Sequence, residues 1–138
     1  MQSRTILFHK TPTSGRTCFY RYKHGGICGT EPLPIPAVVM EPPGESGLSL
    51  HPAPLVKQMS QHLGLEEKAL EAEGDYHQWV DVAGGPIQVF LLRFTGIDPP
   101  HALAEELGGG FVELAQARDL SSVELELLRS AYECVMEG

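Results

Sequence analysis

The chain has 138 residues, 42% of them hydrophobic and 20% charged, with 11 prolines and 15 glycines; this is the composition of one ordinary globular domain with many irregular connections. Net charge is −8 and unevenly placed: residues 1–40 carry five basic side chains and one acid, residues 41–138 five basic and seventeen acidic. The apolar run Val89 to Leu92 is far shorter than the ~18 residues of a membrane span, the opening residues hold no secretory core, and three cysteines without repeated spacing do not make a disulfide framework, so the expectation is a soluble, cytoplasmic chain.

Residues 5–9 and 17–23 read as strands, rich in β-branched and aromatic side chains, with "TPTSG" as turn chemistry between them. "HGG" supplies a second turn, and a hairpin about Gly25 and Gly26 would pair His24 with Ile27 and Lys23 with Cys28. The prolines from 32 to 36 favour an extended run, and "AVVM" at 37–40 reads as a brief strand. "EPPGESG" at 41–47 is the candidate hinge, and it coincides with the change in charge sign.

Leu55, Val56, Met59, His62 and Leu63 recur at helical spacing, with Gly64 as the C-terminal cap. Residues 65–72 read as a second short helix stopped by Gly74. The clearest hairpin spans 76–95, with strands 76–82 and 86–95 about "AGG". In its second strand Ile87, Val89 and Leu91 point one way and Phe90, Leu92 and Phe94 the other, which predicts a central strand covered on both faces. "DPPHALAEELGGG" predicts a helix with Asp98 as cap and Pro99 in the first turn, "FVEL" a short strand, and "SSVELELLRSAYECVMEG" a helix opened by a Ser121–Glu124 capping box. Its apolar stripe is Val123, Leu127, Leu128, Ala131, Tyr132 and Val135.

Together these elements predict an α+β domain: a mixed or antiparallel sheet around the 76–95 hairpin, with three to four helices packed on it. Residues 1–43 are expected to form a basic, β- and loop-rich arm, and residues 44–138 an acidic α+β body, within one domain. The charge contrast predicts that the arm packs on the acidic body of its own or a neighbouring subunit, with an anionic ligand as the rival reading.

Four side chains could ligate a metal: His9, Cys18, His24 and Cys28, spaced H-x8-C-x5-H-x3-C. Zinc takes four nitrogen or sulfur ligands in a tetrahedron, but structural zinc sites usually present a C-x2-C knuckle, and none is present. The competing reading is ordinary thiols in a hairpin. Catalytic candidates are His77, Asp98 and His101 as an acid–base set, and Cys28 with His24 as a nucleophile pair. Against them, Asp98 serves as a helix cap, His101 as an exposed first-turn residue and Trp79 as a core anchor. The helix-turn-helix outline at 53–73 has a second half bearing Glu66, Glu67, Glu71 and Glu73 against Lys68, which excludes nucleic acid as a partner on charge. No glycine-rich phosphate loop runs from a strand into a helix, so no nucleotide cofactor is expected. The leading expectation is a non-enzymatic binding or accessory protein acting through a protein partner or a homo-oligomer. A small His/Asp or Cys/His enzyme and a His/Cys metal module are the alternatives.

Overall fold

Ile6, Leu7 and Phe8 follow one another with no polar residue between them, so a strand containing them must be covered on both faces. The computed structural model, which describes residues 2–41, 51–66 and 68–137, meets that demand by placing β1 (Gln2–Lys10) inside the sheet. It runs parallel to β6 (Gly85–Phe94), with Ile6 beside Leu91 and Leu7 beside Leu92. It is antiparallel to β2 (Thr17–Arg21) through Phe8–Phe19 and His9–Cys18. The remaining strands are β3 (Ala37–Met40), β4 (Leu70–Ala72), β5 (Gln78–Val82) and β7 (Gly110–Val112). The sheet is mixed and ordered β3-β5-β6-β1-β2-β7, with β4 also paired to β6. β5 takes the Gly85–Val89 part of the β6 edge and β4 the Leu92–Phe94 part.

The expected hairpin is therefore present as β5 and β6, and β6 lies in the interior as its two apolar faces require. The N-terminal segment, by contrast, is no arm laid on a body: β1, β2 and β3 are built into the one sheet. Continuous apolar character over residues 6–8 outweighs the basic residues around it, because burying each such side chain is worth roughly 1.5–3 kcal/mol. Charge contrast is satisfied at the margins, where Arg16 pairs with Glu113 and Arg21 with Asp119.

Among the described residues three α-helices flank the sheet: α1 (Pro52–Leu63), α2 (His101–Glu106) and α3 (Ser122–Glu137). On one face Ile6, Phe8, Phe19, Val80, Ile87 and Leu91 pack with Val123, Leu127, Leu128, Ala131 and Val135 of α3. On the other Leu7, Tyr20, Leu70, Leu92 and Phe94 pack with Leu63 of α1 and Ala104 of α2. The predicted α3 stripe is buried apart from Tyr132, which packs half-exposed against the same core. Gly64 closes α1 as expected, at φ +69°.

Three local expectations are corrected. Residues 65–72 do not form a second helix; Leu70–Ala72 is a strand, and the helix-turn-helix outline goes with it. Alternation decides this: Leu70 turns into the core beside α1, while Glu71 turns to the opposite face and meets Arg93 at 2.7 Å. No hairpin forms about Gly25 and Gly26, because β2 pairs with β7 after leaving β1, and the chain instead closes a tight loop with Tyr22 N–H donating to the Gly26 carbonyl at 2.8 Å. Asp98 does not cap α2; Pro100 occupies the cap position without a side-chain hydrogen bond. The expected hinge at 41–47 lies, beyond Glu41, outside the described residues.

Candidate functional site

The loop of residues 22–31 fills the edge of β1 that β2 vacates. Gly29 N–H donates to the Thr5 carbonyl at 3.1 Å, and the Tyr22 hydroxyl donates to the same oxygen at 2.8 Å. His24 lies stacked on Tyr22, with ring centroids 6.0 Å apart. Its Nε2 lies 2.8 Å from the Gly29 carbonyl, which must accept, and its Nδ1 accepts from Gly26 N–H at 3.2 Å. Both ring nitrogens thus serve the loop's own backbone. Cys28 is fully buried in the α3-side core.

His9 and Cys18 are cross-strand neighbours. His9 is fully buried; its Nε2 donates to the Gly96 carbonyl at 2.8 Å, and its Nδ1 has no partner among the described residues. The four sequence candidates for metal ligation therefore divide into a β1–β2 pair and a loop pair. Among the described residues, no group of three or more His, Cys, Asp or Glu side chains is arranged to hold a metal ion.

The thiols share one electrostatic character. Burial pushes Cys28 up to about 12, reinforced by Glu124 and opposed by Arg4. Burial likewise pushes Cys18 up to about 11, with Glu113 adding and Arg16 opposing. Cys134 is raised by burial and then by Glu73, Asp75 and Glu137. An activated nucleophile requires the opposite displacement.

The acid–base candidates are distributed over both sides of the sheet. His77 is exposed and lines a cleft of about 400 Å³ with Asp75, Ser130 and Cys134 on the α3 side. Ser130 Oγ is committed there, donating to the Leu127 carbonyl at 2.8 Å and lying 3.3 Å from the Tyr76 hydroxyl. His101, exposed, packs edge-on to Phe111 at 5.5 Å on the α1–α2 side. Asp98 is exposed in the bend before α2. The structure does not bring His77 to His101 or Asp98. Trp79 is buried, as an anchor should be.

Two surface features lay outside the sequence reading. A groove of about 1000 Å³ runs between α1 and β4, walled by Pro52, Val56, Leu65 and Ala72. The second is the surface at β3, where Val38 is 64% exposed and Ile35, just before the strand, 90%. Its signal was available in the sequence: residues 32–40, "PLPIPAVVM", hold no charge. Among the described residues no helix is long and apolar enough to cross a membrane. No protein-family model matches this chain, and no curated protein matches it.

Proposed function

We propose that this chain is a non-enzymatic binding or accessory protein of the cytoplasm, acting through self-association or a protein partner along the outer edge of β3. The observation that carries this reading is the exposure of Ile35 and Val38 on and beside a terminal strand. β3 pairs with β5 on one side, through Ala37–Val82 to Met40–Trp79. Every second residue of an edge strand turns its N–H and C=O outward, which is a template for another strand. Proteins usually guard such edges with charge. Residues 32–40 carry none, although the chain as a whole carries −8. For two copies, or a copy and an extended peptide, the strand itself adds no like-charge repulsion; the acids around it are Glu31, Glu41 and Asp81, the cross-strand neighbour of Val38.

Sedimentation velocity across a concentration series tests this. The expected result is reversible association, or formation of a defined complex with a purified partner, that Val38→Lys abolishes without loss of far-ultraviolet dichroism. A strict monomer, together with partner binding that Val38→Lys leaves unchanged, overturns it.

A further inference from the structure

Arg118 and Arg129 line one cleft of about 390 Å³ with Leu114, Ala115 and Leu125. The cleft lies between the 3-10 turn Leu114–Gln116 and α3. Both arginines are exposed, and neither makes a salt bridge within the described residues. The acids that flank the turn in sequence are already engaged, Glu113 by Arg16 and Asp119 by Arg21. In a chain of net charge −8, two arginines with no salt bridge among the described residues thus line one cavity.

We infer that this cleft is a binding site for a small organic oxyanion, a carboxylate or a phosphate monoester, held between Arg118 and Arg129. Three features select that chemistry. Guanidinium is planar and presents paired N–H donors that match the two oxygens of a carboxylate or phosphate. Two like charges on one cavity repel, and an anion between them converts repulsion into attraction on both sides. Leu114, Ala115 and Leu125 supply apolar walls, which suit a ligand whose charged end is attached to an apolar body. The volume falls at the small end of the range for such ligands. The inference rests on residues other than those of β3 and stands whether or not that edge pairs.

The test is an amide NMR titration at low ionic strength with two probes, phenyl phosphate and benzoate. Saturable shifts centred on Leu114–Arg118 and Leu125–Arg129 are expected, and the tighter probe identifies the oxyanion. The Arg118→Gln, Arg129→Gln double variant, which alters only exposed side chains, should weaken that probe by about tenfold or more. Arg129→Lys should fall between the two, since it keeps the charge and loses the fork. Shifts that saturate with neither probe, or equal affinity in the double variant, overturn the proposal.

Discussion

Glu124 shows how a residue's local and tertiary roles separate. The Ser121–Glu124 pattern predicts a capping box, and half of it forms, with Ser121 Oγ accepting from Glu124 N–H at 3.3 Å. The carboxylate does not turn back to its own helix. Its Oε1 lies 3.3 Å from the Ile27 N–H, so α3 holds the 22–31 loop in place. Glu124→Ala should therefore cost about 1–3 kcal/mol in urea denaturation, because it strands a buried donor. Glu124→Gln should cost less, since an acceptor remains. Equal costs for the two would show that packing, not the hydrogen bond, is what Glu124 contributes. Gly109 makes a separate residue-scale prediction: a Cβ there would collide with the Arg21 carbonyl and lie 2.7 Å from the Tyr20 hydroxyl. Gly109→Ala should lower stability by about 1–3 kcal/mol, because backbone and not a movable side chain stands in the way. Neither role was legible beforehand. A capping pattern and a glycine run report on neighbours in sequence, whereas Ile27 and Arg21 lie far from Glu124 and Gly109 along the chain.

Among elements, those with a strong internal pattern were the most legible. α3 carries its stripe, β6 its two apolar faces, and α1 its glycine stop, and each appears where periodicity put it. Leu70–Ala72 defeated the same reasoning because three residues hold too little of either period. Its state is decided by the vacant stretch of β6 edge beyond β5, which is invisible until the sheet is assembled. The candidate site was still less legible. Histidines and cysteines within twenty residues suggested one cluster, but the departure of β2 toward β7 sent His24 and Cys28 into a loop of their own. Packing makes the buried stripe of α3 sensitive to truncation. Leu128→Ala, at a fully buried position, should cost about 2–5 kcal/mol by chemical denaturation. Glu133→Ala, on the exposed face of the same helix, should stay within about 0.5 kcal/mol. Similar losses at both positions would mean that α3 does not pack through the predicted stripe.

At the scale of the whole molecule, composition gave the character of the surface and buried ionisable groups set its response to pH. Burial raises Cys18, Cys28, Cys134, Tyr20, Tyr22 and Tyr76 alike. A group whose value is raised on folding stabilises fully below its unfolded value, and that contribution is lost as pH climbs toward the folded one. For Cys28 the window opens near the ordinary thiol value and closes at about 12. Within it a single buried thiol gives a slope of about 1.4 kcal/mol per pH unit. Urea midpoints should thus fall steadily above about pH 9, and Cys28→Ala should flatten part of that fall. A midpoint independent of pH through the alkaline range, or an unchanged slope in Cys28→Ala, would contradict this account.

The parallel pairing of β1 with β6 also sets an order of events during synthesis. Ile6 finds its neighbour Leu91 only after most of the chain has been made, and β2 finds β7 later still. Until then a strand with two apolar faces has only its short pairing with β2 to cover it, a topology that folds slowly and exposes its surface meanwhile. A nascent chain halted before Gly85 should leave Ile6, Leu7 and Phe8 accessible to a holdase chaperone, and one extended past α3 should not. Early protection of β1 in the shorter chain would show that another segment covers it first.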